Sequence, residues 1–139
     1  MAGSLAALAI DLRYPVGVLA NGLLTGSDQP LRLLPGRSPD QLVHIMELLA
    51  LVTPYVITPI EVMLLREVPR LPWGATVVVV TAVVYDKLLA ALLEMVRTGR
   101  QVLLFTLAEK PPAELLPGVR VVHLPHLVAD LIAPVEVAA

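Results

Sequence analysis

The sequence predicts an α/β fold built on a mostly parallel, Rossmann-like sheet, with helices on both faces and one antiparallel edge strand. Residues 72–81 (PWGATVVVVT) carry no charge and are rich in valine, which is typical of a central strand that helices cover on both sides. An amphipathic helix and a second apolar strand follow this run. That order of elements is typical of right-handed crossovers in a doubly wound sheet.

The composition is typical of a small globular protein with apolar surface available to bind a partner. Its 139 residues are enough for a single domain over residues 1–139, and 57% of them are hydrophobic, above the usual value of about 45–50%. A net charge of −2 and few aromatic residues argue against nucleic acid as a partner. The chain has no cysteine, no basic N-terminal signal region and no proline-free apolar run of membrane-spanning length. We therefore expect a cytoplasmic protein without a membrane span.

The N-terminal elements are predicted to be a helix and two strands. Residues 4–13 (SLAALAIDLR) place apolar side chains on nearly every face, so this helix is expected to be covered all round. Pro15 follows it, and residues 16–20 (VGVLA) predict a short strand that ends at the turn dipeptide Asn21-Gly22. Residues 31–34 (LRLL) predict an antiparallel partner strand at a sheet edge.

Two capping boxes predict the next two helix starts. In residues 38–41 (SPDQ), the Ser38 hydroxyl is expected to accept from an early backbone N–H while Gln41 reaches back. The helix that begins there has apolar residues at helical spacing and is ended by Pro54. The same device in residues 58–61 (TPIE) predicts a shorter helix that runs to about Arg66.

The C-terminal half predicts one more helix and two more strands. Residues 85–98 form an amphipathic helix that Gly99 ends in a left-handed conformation. Residues 101–107 (QVLLFTL) predict a buried strand, and residues 119–124 (VRVVHL) predict an edge strand. After Pro125 we expect one or two helical turns.

Ligands of open α/β sheets bind beyond the carboxyl ends of the strands. Four residues mark these ends in the predicted fold: Asn21, Gly22, Thr81 and Thr106. No phosphate-binding GxGxxG or GxxxxGK[ST] motif and no GxSxG nucleophile motif occurs in the chain. Pro125 separates His123 from His126, which argues against a helical metal pair. These observations predict no catalytic residues, no cofactor and no metal ion.

Three stretches carry a family resemblance. They are residues 14–22 (YPVGVLANG), 34–42 (LPGRSPDQL) and 71–81 (LPWGATVVVVT), and the likeness continues through residues 99–107 (GRQVLLFTL). In order and spacing they resemble domain-of-unknown-function family 58, whose members are similar to von Willebrand factor type A domains. The resemblance implies a mostly parallel sheet with one antiparallel edge strand and, in many such domains, a metal-ion-dependent adhesion site. It also implies a role beside MoxR-type AAA+ ATPases.

The chain departs from the family pattern at the metal site. The family's first strand, with its Asp-x-Ser-like loop, has no counterpart before residue 4, so we expect an N-terminally truncated, incomplete domain. The Thr-Asp-Gly element is replaced by Thr81-Ala82-Val83. One neutral hydroxyl does not hold a hard divalent cation that requires several oxygen ligands.

Two functional hypotheses from different classes follow. The first is a non-catalytic protein–protein interaction module that resembles a von Willebrand A-like partner of AAA+ ATPases and that self-associates, most simply as a homodimer. The alternative is a small enzyme or a nucleotide- or ligand-binding protein that uses the strand ends near Asn21, Thr81 and Thr106.

Overall fold

The chain is α/β, as predicted, and a computed structural model describes residues 1–112 and 116–126. It divides into two compact units, Met1–Met63 and Leu64–Ala139. None of the helices in the described ranges has the length and apolar character needed to cross a membrane. The turns predicted after Pro125 fall largely on residues 127–139, outside those ranges.

The first unit is built on an antiparallel sheet. Its elements are α1 (Ala2–Asp11), β1 (Val16–Leu24), β2 (Pro30–Gly36), α2 (Gln41–Leu51), β3 (Val52–Val56) and the start of α3 (Ile60–Glu67). β1 lies in the middle of the order β2-β1-β3, and both neighbours run antiparallel to it. The predicted antiparallel pairing of the first two strands, with β2 at an edge, is therefore confirmed.

The second unit is built on a parallel sheet. After the 3₁₀ turn Val68–Arg70 come β4 (Thr76–Thr81), α4 (Asp86–Arg97), β5 (Gln101–Thr106) and β6 (Val119–His123). The strands lie in the order β4-β5-β6 and pair in parallel without a register shift. α4 packs on β5 and ends at Gly99, whose φ of 88° confirms the predicted left-handed C′ residue.

The sheet arrangement differs from the prediction in one respect. Instead of one mostly parallel sheet with an antiparallel edge strand, the described strands form an antiparallel and a parallel sheet of three strands each. β1 has β3 as its second neighbour. β3 was not predicted from the sequence, because this segment contains Pro54. Proline removes a backbone donor but is tolerated in an edge strand, and β3 is one.

The prediction that β4 is a central strand covered on both faces is wrong. Among the described strands, β4 is one of the two edge strands of its sheet. Val77 and Val79 are buried, whereas Val78, which points to the opposite face, is 45% exposed. A valine run reports β propensity and apolar character, and neither property shows whether a second layer covers the other face.

The turn predicted at Asn21-Gly22 is also wrong, because β1 continues to Leu24. The ladders on both sides of β1 shift register here, so the dipeptide lies in an irregular part of the strand. The chain turns later, at Gly26, where φ is 75°.

The first predicted capping box is not formed. α2 begins at Gln41, so its N-cap residue is Asp40 rather than the predicted Ser38, and Asp40 makes no side-chain capping hydrogen bond. The Ser38 hydroxyl accepts from the Asp40 N–H at 3.3 Å. The Gln41 amide nitrogen donates to the carbonyl of Val16 at 2.6 Å and to that of Leu34 at 3.1 Å. Gln41 thus ties α2 to β1 and β2.

The second predicted helix start is confirmed, because α3 begins at Ile60.

Replacing Gln41 by Leu is expected to destabilise the first unit by about 1–3 kcal/mol. Gln41 is only 6% exposed, so Leu would fit the space but leave the two carbonyl oxygens without their amide donor. Gln29→Leu, at an exposed position, is the matched control and should shift the urea midpoint little. Equal urea midpoints for the two variants would contradict a stabilising role for the Gln41 hydrogen bonds.

Candidate functional site

Two of the predicted strand-end residues are neighbours. Thr81 and Thr106 are register partners at the carboxyl ends of β4 and β5. His123 is the register partner of Thr106 on β6. Adjacent strands lie about 4.8 Å apart, so these three residues form a row along the edge where α/β proteins bind ligands.

Each side chain in this row is held by the backbone just beyond the strand ends. The Thr81 hydroxyl donates to the Val83 carbonyl at 2.9 Å and accepts from the Val83 N–H at 3.2 Å. Thr106 is fully buried, and its hydroxyl accepts from the Ala108 N–H at 3.1 Å. Nε2 of His123 lies 2.8 Å from the Ala108 carbonyl oxygen, which requires the proton on Nε2. The row therefore fixes the loops that leave the sheet.

Asn21 and Gly22 do not join this row, since both lie in β1 of the antiparallel sheet. The Asn21 side-chain amide donates to the carbonyl of Thr58 at 3.2 Å. A Cβ on Gly22 would lie 2.3 Å from the carbonyl oxygen of Thr53, so only glycine fits where β1 and β3 approach each other. Both residues serve strand packing.

Metal-binding side chains do not converge in the part of the chain that the structure describes. No group of three or more His, Cys, Asp or Glu residues is placed there to hold a metal ion.

The most unusual surface feature is Trp73, which the sequence analysis did not single out. It is 92% exposed, and the Arg100 guanidinium lies 5.7 Å from its ring centroid, within the range of a cation–π contact. The same guanidinium donates to the carbonyls of Pro72 at 2.6 Å and Leu71 at 3.0 Å. Gly74, at a φ of 81°, allows the tight turn that follows. Arg100 therefore fixes the backbone of the turn and contacts the indole.

A groove of about 400 Å³ lies beside the indole. We call it the Trp73 groove; it is lined by Leu65, Val68, Pro69, Trp73, Glu94, Met95, Thr98 and Arg100. Its polar side chains are already bonded within the chain. Arg97 donates two hydrogen bonds to Glu94, at 2.6 and 2.8 Å, and the Thr98 hydroxyl donates to the Met95 carbonyl at 2.9 Å. The groove thus offers mainly apolar contact.

The ion pair at the rim of the Trp73 groove shifts both of its ionisable groups. The hydrogen bonds from Arg97, and then its positive charge, lower the pKa of Glu94 below the usual value. The same contacts raise the pKa of Arg97. Both side chains are solvent-exposed, so the ion pair contributes little stability. Its two opposite charges leave the rim with no net charge.

One signal in the sequence could have identified Trp73. It is the one tryptophan of the chain, and it lies between Pro72 and Gly74, two residue types that favour turns. Turns lie on the surface, so a large aromatic residue there is expected to be exposed.

Comparisons with protein-family models, with curated proteins and with solved structures find no match to this chain.

Proposed function

We propose that the chain is a non-catalytic protein–protein interaction module and that the Trp73 groove is its main contact surface. The observation that carries the proposal is an indole that is 92% exposed and lies against the Arg100 guanidinium, beside an apolar groove. Tryptophan and arginine are among the residues most enriched at binding hot spots.

The bonding of the polar groups supports an interaction role over catalysis. Thr81, Thr106 and His123 each bond to backbone atoms two or more residues away. Their geometry serves loop anchoring, and no nucleophile–base pair is among these contacts.

The resemblance suggests which kind of protein module this is. We propose a von Willebrand A-like module, with its motif at residues 71–81 covering β4 and the motif at residues 99–107 covering β5. A MoxR-type AAA+ ATPase is the partner that the resemblance implies, and the cytoplasm is the location that fits such a partner.

Self-association is a second part of the proposal. Among the described strands, β4 has a sheet neighbour on one side only, and it carries no charged residue. Uncharged edge strands readily pair with another chain. A homodimer that extends the parallel sheet through β4 is therefore the arrangement we propose.

Trp73→Ala is expected to weaken binding to a MoxR-type AAA+ ATPase by about 30-fold, the effect of losing a hot spot worth about 2 kcal/mol. Isothermal titration calorimetry with the purified ATPase measures the change. Tyr55→Ala is the control, since Tyr55 is also an exposed aromatic residue but lies in β3. Both variants should stay folded, because neither ring is buried.

Equal losses in the Trp73 and Tyr55 variants, or no binding by the wild-type chain, would contradict the proposed contact surface. Self-association is measured separately by light scattering. A wild-type chain that stays monomeric at high concentration would contradict the β4 dimer alone.

A further inference from the structure

A second cavity, unrelated to the Trp73 groove, lies in the first unit. It has a volume of about 490 Å³ and is formed where the C-terminal end of α1 meets the loop between β2 and α2. Arg13 and Arg37 line it from these two segments, together with Asp11, Tyr14 and Ser38. We call it the Arg13–Arg37 cavity. Its volume is within the range of about 300–1,000 Å³ that small-molecule sites occupy.

The two guanidinium groups of this cavity have no partner in the described chain. Other arginines do have one: Arg97 pairs with Glu94, and Arg100 donates to two backbone carbonyls. Asp11 lines the same cavity, but no ion pair joins it to Arg13 or Arg37. Two unneutralised positive charges therefore face one carboxylate, which leaves the cavity positive in a chain whose net charge is −2.

Arg13 has an unusual backbone conformation. Its φ is 65°, a left-handed conformation that it alone adopts among the described non-glycine residues. The Arg13 N–H donates to the Ile10 carbonyl at 2.8 Å and the Tyr14 N–H to the Ala9 carbonyl at 3.0 Å. Glycine is the usual residue at such a helix end. The backbone of Arg13 is therefore fixed at the cavity wall, and its side chain is exposed.

Ser38 adds a donor to the same wall. Its oxygen accepts from the Asp40 N–H at 3.3 Å, so the hydroxyl proton remains available for an oxygen of a ligand. A phosphate group matches this set, since it carries up to two negative charges and three acceptor oxygens, and guanidinium groups bind it through paired hydrogen bonds. A carboxylate has only two acceptor oxygens, so it would bind fewer of these three donor groups than a phosphate does.

We propose that the Arg13–Arg37 cavity binds a small molecule that carries a phosphate group, with Arg13 and Arg37 binding the phosphate oxygens and Ser38 donating a third hydrogen bond. The remaining cavity volume takes the organic part of the ligand. Because both guanidinium groups are solvent-exposed, binding weakens as salt rises. This site is independent of the interaction role proposed for Trp73.

The test is calorimetric titration of the full chain with phenyl phosphate, and with benzoate as the singly charged comparison. We expect saturable binding of phenyl phosphate and at least about tenfold weaker binding of benzoate. Arg13→Gln and Arg37→Gln should each weaken phenyl phosphate binding about tenfold or more. Arg120→Gln, an exposed arginine on β6, should leave it unchanged.

Arg13→Gly separates loss of binding from loss of folding. Glycine adopts the left-handed conformation without strain, so this variant should keep the Tm of the wild type or exceed it while binding is lost. Inorganic phosphate is the second ligand: weaker binding than phenyl phosphate supports an organic ligand, and equal binding overturns that part of the proposal. No saturable binding by the wild type, or an equal loss in Arg120→Gln, overturns the site itself.

Discussion

Replacing Val79 by Asp is expected to unfold the parallel-sheet unit, whereas the same substitution at Val78 should leave it folded. The two valines are adjacent in β4 but point to opposite faces of the sheet, and Val79 is 4% exposed while Val78 is 45% exposed. A carboxylate at position 79 would be buried among apolar side chains without a partner. The cost is about 4 kcal/mol or more, a large part of the total stability of a domain.

The measurement is amide hydrogen exchange in β5, whose protection depends on an intact parallel sheet. Val79→Asp should lose the protection of Leu103 and Leu104, while Val78→Asp retains it. The Val78 variant loses only strand propensity and some apolar contact, on the order of 1 kcal/mol. Protected β5 amides in Val79→Asp would show that this face of β4 is not part of the core.

Elements that are set by local chemistry were predicted well from the sequence. α4 follows from its stripe of buried side chains, and its end follows from Gly99. β5 and β6 lie within one residue of the predicted strands. Helix stripes, end residues and short apolar runs are properties of neighbouring residues, so they are visible without the tertiary structure.

Strand partners were predicted less well, because pairing joins segments that are distant in the chain. β1 pairs with β3 through Gly22 and Val56, and nothing local distinguishes that pair from others. Gln41 shows the same limit. Its position suggested a capping role, but its amide donates to the carbonyls of Val16 and Leu34, which are brought near it by the fold.

The candidate site was predicted only in part, because its residues come from segments that are distant in the chain. Thr81 and Thr106 were placed at neighbouring strand ends because parallel strands end at one edge. Asn21 and Gly22 were wrongly grouped with them, since that grouping assumed a turn at a point where β1 continues. The exposure of Trp73 follows from its place in a turn, whereas its contact with Arg100 joins segments that are distant in the chain.

The second prediction with a large effect concerns the packing of α4. Leu92→Ala is expected to destabilise the parallel-sheet unit by about 2–5 kcal/mol. Leu92 is fully buried, in a stripe with Leu88, Ala91 and Met95. Removing its methyl groups loses apolar burial and leaves a cavity that close-packed neighbours fill only partly.

Leu93→Ala is the matched control for this substitution. Leu93 is the next residue of the same helix and is 37% exposed, so the change in helix propensity is the same while little of the core is lost. We expect a cost of less than about 1 kcal/mol. Urea unfolding followed by the indole NMR signal of Trp73, which reports on this unit alone, measures both variants. A Leu93 variant as unstable as the Leu92 variant would mean that the buried face of α4 is not the one that carries Leu92.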